Sequence, residues 1–153
     1  MMPLALPSFD CKLKQQAGKT YILDLIRKKY LQLTPEEWVR QHMLHYLIHH
    51  LAYPKGLCRS EQKILGVERC FRPDILLCDA RGVAKLMVEC KAPHQMLTQD
   101  ALGQLMHYNR YLSVNVLVLT NGKTHFCWQL DPNTGTFNPI LHMPTYEEFV
   151  KLP

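Results

Sequence analysis

Arg72-Pro73-Asp74-Ile75-Leu76-Leu77-Cys78-Asp79 and Lys85-Leu86-Met87-Val88-Glu89-Cys90-Lys91 are the two stretches that decide the reading of this chain. Each is a short apolar run closed or opened by charge. Between them, Ala80-Arg81-Gly82-Val83-Ala84 supplies a turn in which Gly82 can adopt φ > 0. The pair predicts a β-hairpin with strands over 74–79 and 85–90. That hairpin brings Asp74, Glu89 and Lys91 to one end of adjacent strands. Two oxygen-donor acids beside an ammonium suit a hard divalent cation and a phosphodiester.

Outward from the hairpin, Thr34-Pro35-Glu36-Glu37 predicts a helix start, with Thr34 as N-cap and Pro35 at the first helical position. That helix should run to about Leu51, before Tyr53-Pro54-Lys55-Gly56 ends it. A first strand is expected over 59–65, a helix from Thr98 to Leu112 and a buried strand from Val114 to Thr120. Asn121-Gly122 is a hairpin turn into a strand over Thr124–Leu130, and Asp131 to Gly135 turns again. Thr145-Tyr146-Glu147-Glu148 caps a short final helix. Residues 1–18 read as irregular, and 19–33 fit helix or strand equally. The order implies an α/β fold, a mixed sheet flanked by helices.

The 153 residues fit one domain, with its core at about 34–130. No apolar run is long enough to span a membrane, and the start, broken by Pro3 and Pro7, is a poor secretory signal. The cysteines (Cys11, Cys58, Cys70, Cys78, Cys90 and Cys127) lack framework spacing and read as free thiols in a reducing cytoplasm. The formal charge of +5 permits nucleic-acid binding without proving it. Arg27-Lys28-Lys29 could face DNA or merely water.

The chemistry centres on Asp74 and Glu89 as ligands for Mg²⁺, for which Mn²⁺ can substitute, with the Cys90 carbonyl as a third ligand. Lys91 would stand near the attacking water or the scissile phosphate. The bland alternative is a Glu89–Lys91 surface ion pair of little energetic value. Glu37 is a candidate further metal ligand: it projects near the centre of the apolar stripe of Leu44, Ile48 and Leu51, with Glu36 toward its edge. Glu37 is equally the capping-box residue that would reach back to the Thr34 N–H. Gln104 and Tyr108, one turn apart, could contact a phosphate or brace Lys91, or form an ordinary amphipathic face. His42, His45, His49 and His50 have metal-like spacing but no accompanying zinc motif, so a solvated polar face is the better account. Asn121-Gly122 could line the site, although a turn explains it.

With these residues in place, the chain resembles the PD-(D/E)xK nuclease superfamily. More closely, it resembles the N-terminal nuclease domain of type I restriction enzyme R subunits in a small stand-alone form. Ile26 to Tyr30 and Leu33 to Gln41 are similar to that group's N-terminal block. Arg72-Pro73-Asp74-Ile75 and Val88-Glu89-Cys90-Lys91-Ala92-Pro93 resemble its two core motifs. Gln104 with Tyr108 resembles the Gln-x-x-x-Tyr motif shared with RecB-like nucleases, and Leu119 to Gly122 the segment after the next strand. The resemblance implies an αβββαβ core and Mg²⁺-dependent hydrolysis of DNA leaving a 5′-phosphate. It also implies metal ligation by Asp74 and Glu89, a catalytic Lys91, a helix acid at Glu37 and accessory roles for Gln104 and Tyr108. Restriction or defence proteins, or a second copy of the chain, are the partners it suggests. The alternative is a nucleic-acid-binding or assembly module with the nuclease fold and little or no turnover.

Overall fold

The structure, a computed structural model, describes residues 2–64 and 71–152. Nine strands and three α-helices follow one another in these residues. A meander comes first: β1 (Leu13–Gln16), β2 (Lys19–Leu23) and β3 (Tyr30–Gln32), antiparallel in the order β1-β2-β3. Then come α1 (Pro35–His49), β4 (Cys58–Ser60), β5 (Ile75–Cys78), β6 (Ala84–Cys90), α2 (Gln99–Leu112), β7 (Val116–Thr120), β8 (His125–Leu130), β9 (Phe137–Ile140) and α3 (Tyr146–Phe149). Strands β4 to β9 form a second sheet in sequential order. All its pairs are antiparallel except β6 and β7, which run parallel with α2 as the crossover. The run α1-β4-β5-β6-α2-β7 has the αβββαβ order expected of a restriction-endonuclease-like fold.

The central strands are apolar on both sides because both faces of the sheet are covered. Leu86, Val88 and Cys90 of β6 join Ile75, Leu77, Val116 and Val118 against Val39, Met43, Leu44 and Leu47 of α1. Met87 joins Leu76, Leu117 and Leu119 against Leu105 of α2. Full burial of each such side chain stabilises by about 1.5–3 kcal/mol before entropy is counted. This alternation assigns the catalytic candidates to one side. In β6, Glu89 and Lys91 follow Met87 at two-residue spacing, so they emerge on the α2 face as the core runs out.

Several boundaries differ from the sequence reading. Residues 1–18 are not wholly irregular, since β1 pairs with β2 from Leu13 to Gln16. Residues 19–33 are strand rather than helix in β2 and β3. The turn between β1 and β2 uses Ala17 at φ 49° and Gly18 at φ 73°, a geometry that matches strand twist. Helix α1 stops at His49, two residues early, because the chain turns left-handed at Ala52 (φ 62°). The strand expected over 59–65 ends at Ser60: Glu61 takes φ 47° and its N–H bonds the Asp74 carbonyl at 3.1 Å. Residue 65 and Cys70 lie outside the described residues. The strand expected from Val114 begins at Val116, after Asn109 brackets Val114 through both backbone groups. Strand β9 is an addition. Its Pro139 is tolerated because β9 is the sheet's edge.

Candidate active site

Thr34 caps α1 as expected, its hydroxyl accepting from the Glu37 N–H at 3.0 Å. The reciprocal half of a capping box does not form: the Thr34 N–H bonds the Gln32 carbonyl instead. The Glu37 carboxylate turns inward to Arg40, at 2.6 and 2.7 Å, and to Gln41 at 2.9 Å. Arg40 and Gln41 are fully buried, an unexpected fate for a helix Arg-Gln pair. Their partner is buried Asp24, from the turn after β2. Its Oδ2 accepts from Arg40 and Gln41 at 3.0 Å, and its Oδ1 accepts the Ile26 and Arg27 N–H groups. Arg40 also donates to Ser60, and Arg27 pairs with Glu61. This knot fastens the β1–β3 meander to α1 and leaves little of its charge unanswered.

A second cluster lies at the ends of β5 and β6. The Cys90 N–H donates to Asp74 Oδ2 at 2.7 Å, and Lys91 Nζ donates to Glu89 Oε1 at 2.9 Å. Within a strand, one residue's N–H and C=O point to the same neighbour. The Cys90 carbonyl therefore faces the Asp74 side, while the Lys91 N–H turns away to the Thr120 carbonyl at 2.7 Å. Burial raises the Asp74 carboxyl well above the usual range, and the Glu89 charge adds to the rise. Burial raises Glu89 too, with Lys91 pulling against it and Glu36 reinforcing it. Burial works against the Lys91 ammonium, but Glu89, Glu36 and Asp74 together hold its pKa above the ordinary lysine value. Lys91 is therefore a firm cation here, not a ready base.

Glu36, not Glu37, is the α1 acid whose charge reaches Asp74, Glu89 and Lys91. Glu37, the helix acid expected at the metal, is paired with Arg40 three residues on. A cavity of about 250 Å³ reaches from the knot to Asp74, lined by Glu36, Glu37, Arg40, Glu61, Asp74 and strand β3 at Leu31 and Gln32.

The loop carrying Lys91 is braced from β7. Asn121 Nδ2 donates to the Gln95 carbonyl at 2.9 Å, and Gln95 Oε1 accepts the Ala92 N–H at 3.1 Å. Asn121 Oδ1 also accepts the Lys123 and Thr124 N–H groups, so it builds its own turn as well. Gln95 was not foreseen, because a lone loop glutamine carries no sequence signal. Tyr108 stacks on Phe71 at 3.6 Å and 6°, three residues before Asp74. Gln104 stands exposed on α2. On α1, Phe9 stacks on His45 at 3.8 Å, and His42 Nδ1 meets the Trp38 carbonyl at 2.9 Å. His42 is thus buried, and His45 packs on a ring rather than standing on an open polar face. Cys11, Cys58, Cys78, Cys90 and Cys127 are free thiols.

Among the described residues, no three His, Cys, Asp or Glu side chains are grouped to hold a metal ion by themselves. Asp74, Glu89 and the Cys90 carbonyl nevertheless form a donor set of hard oxygens with excess negative charge. That set fits Mg²⁺, which commonly takes one or two carboxylates and completes its shell with water and phosphate.

The family described as type I restriction enzyme R protein N terminus (HSDR_N) matches residues 35–144, well over half of the chain. No curated protein matches the chain. Among solved structures, a fragment of a putative HsdR subunit of a type I restriction enzyme from Vibrio vulnificus YJ016 is similar at 22% identity. The likeness covers 61% of this chain and 20% of that one, with a TM-score of 0.46. The chain thus spans about a fifth of the length of the structure it matches. No helix among the described residues is long and apolar enough to cross a membrane.

Proposed function

We propose that this chain, which belongs to the type I restriction enzyme R protein N-terminus family, hydrolyses phosphodiester bonds in DNA with a divalent metal held at Asp74 and Glu89. The observation that carries the reading is geometric: pairing of β5 with β6 brings Asp74, Glu89 and Lys91 together, with the Cys90 N–H on Asp74 at 2.7 Å and Lys91 Nζ on Glu89 at 2.9 Å. Two acids set against one ammonium leave net negative charge beside the cavity that Asp74 lines, which suits a cation.

Asp74, Glu89 and the Cys90 carbonyl would hold Mg²⁺ or Mn²⁺, and Glu36 is the nearby helix acid able to hold a bridging water. When bound, the cation would supply Lewis-acid charge and a water acidified toward neutral pH. Lys91, kept charged by its neighbours, orients on the phosphate and stabilises the negative charge that grows there. Asn121 and Gln95 hold the Lys91 loop in place through the contacts at Ala92 and the Gln95 carbonyl. Tyr108 positions the approach to Asp74 through Phe71, and Gln104 is left to meet bound substrate. Glu37 serves Arg40 first, so a role for it at the metal would act through that pair.

The protein is then a cytoplasmic nuclease, working with restriction or defence proteins or as a homodimer. The second reading, a binding module with little turnover, has on its side that no third acidic, His or Cys side chain joins the pair among the described residues. Cleavage of plasmid and linear DNA in Mg²⁺ and Mn²⁺ by wild type and Lys91→Ala separates the two. Cutting that disappears in Lys91→Ala and in EDTA supports the nuclease. Binding of DNA with no cutting in any metal overturns it.

A further inference from the structure

The meander β1–β3 precedes the family-matched segment, which starts at residue 35. Its sequence from Lys12 to Lys29 holds six cations and a single acid, Asp24, which is buried in the knot with Arg40. The register sorts its side chains into two faces. Lys14 pairs with Tyr21, Tyr21 with Gln32, Gln16 with Lys19 and Leu23 with Tyr30. Cross-strand partners share a face. Two side-chain contacts agree: Lys19 Nζ reaches Gln32 Oε1 at 3.4 Å, and Lys14 Nζ lies 5.8 Å from the centre of the Tyr30 ring.

The opposite face carries Ile22, fully buried, and Leu31, which lines the acidic cavity. The outer face therefore carries Lys14, Lys19, Tyr21 and Tyr30 and no acid. Lys14 and Lys19 are exposed, and Tyr30 is 42% exposed. Beside it, the turn between β2 and β3 pushes Lys28 and Lys29 into solvent, while Asp24 Oδ1 holds that turn from within. At the other end of β3, Gln32 lines the same cavity as Asp74 and Glu36.

We infer that the outer face of the β1–β3 meander is a binding platform for single-stranded nucleic acid that leads into the acidic cavity. Lysines spaced along paired strands match the repeating charge of a phosphate backbone. An exposed tyrosine among them offers a stacking surface, which only unpaired bases can use. A duplex, with its bases internal, would gain from the lysines and nothing from Tyr30. Gln32 continues the surface to the cavity, so a strand lying on the platform is led toward Asp74. The purpose of the platform rests on the nuclease reading, but its binding does not.

The test is fluorescence anisotropy of the whole chain, in EDTA, with a labelled oligothymidylate and a labelled hairpin duplex. Wild type should bind the single strand more tightly than the duplex. Lys14→Gln with Lys19→Gln should weaken that binding and flatten its logarithmic salt slope by about 1.4, roughly 0.7 for each lost phosphate contact. Tyr30→Ala should weaken it about tenfold, the lower range of losing one stacked base, and Tyr30→Phe should bind as wild type does. Equal or tighter binding of the duplex, or no loss in the lysine variant, overturns the platform. So does Tyr30→Phe binding as weakly as Tyr30→Ala. Metal-dependent hydrolysis of bis(p-nitrophenyl) phosphate, too small to touch the platform, should persist in every platform variant and fail in Lys91→Ala. A wild type that hydrolyses nothing but shows the binding pattern sinks the nuclease reading and leaves the platform standing.

Discussion

Two charged clusters meet at one cavity, through Glu37 and Arg40 on one side and Asp74 on the other, and each sets one cation against two acids, yet they are wired differently. In the Asp24–Glu37–Arg40–Gln41 knot, a guanidinium stands between two acids and the remaining lone pairs meet backbone or amide N–H groups. In the Asp74–Glu89–Lys91 cluster, one half-buried ammonium answers two carboxyls; burial pushes both above their usual range, as it does Glu37 in the knot, and pushes Asp74 furthest. Glu36 adds to the acid side. A balanced buried network holds parts of a fold together. An unbalanced one is costly unless a ligand completes it, and on that ground we propose the second cluster as the working one.

The sharpest way to break the comparison is Arg40→Ala. It leaves Asp24 and Glu37 buried and unanswered, and should cost about 3–5 kcal/mol in urea unfolding. Adding Asp24→Asn and Glu37→Gln should recover much of that loss. If Arg40→Ala is neutral, the knot is not structural.

Lys91→Ala should divide its effect the other way: a smaller loss of stability than Arg40→Ala, because this pair is less buried, and a fall in cleavage of about 10²–10³-fold. Thermal melting and initial rates on the same preparation check both halves.

Asp74→Asn tests the charge imbalance directly. A carboxyl whose folded pKa lies above its unfolded value keeps its proton longer when folded, so folded-state stability falls as pH rises past the unfolded pKa. At neutral pH in EDTA, Asp74→Asn should therefore melt higher than wild type, by on the order of 1 kcal/mol. It should also lose the rise in Tm that Mn²⁺ gives wild type.

The smallest effect belongs to neither cluster and serves as a control. Burial, together with the neighbouring His49, His42 and Lys55, lowers His45 to about 4. Its neutral, Phe9-stacked form is favoured in the folded chain. Stability from this group is complete above about 6.5 and is lost as pH falls toward about 4. The loss should be on the order of 1 kcal/mol, allowing for the ring's partial exposure. His45→Gln should flatten that slope in acid denaturation without changing DNA cleavage.

What was legible in the sequence was local. The hairpin around Gly82, the Thr34 cap and the Asn121-Gly122 turn each announce themselves within a few residues, and Asp74, Glu89 and Lys91 follow from pairing β5 with β6. The meander was not legible because its strands are short, exposed and rich in Lys and Gln. Its first turn also uses Ala17-Gly18 in place of a stronger Asn-Gly signal. The hold of Arg40 on Glu37 was not legible for a similar reason. A helix wheel finds the buried face but not its content, and here the face near Glu37 is filled by Arg40 and an aspartate sixteen residues before it. Charged core partners that are distant in sequence leave no periodicity to read.

We propose that the Asp74–Glu89–Lys91 cluster cuts DNA with a divalent metal. The most direct test is closed circular DNA incubated in Mg²⁺ with wild type and with Glu89→Gln, purified side by side. Wild type should convert it to nicked or linear forms, stopping in EDTA, while Glu89→Gln works at least about 100-fold more slowly. Equal cutting by the two proteins, or none by wild type in Mg²⁺ or Mn²⁺, would contradict the account.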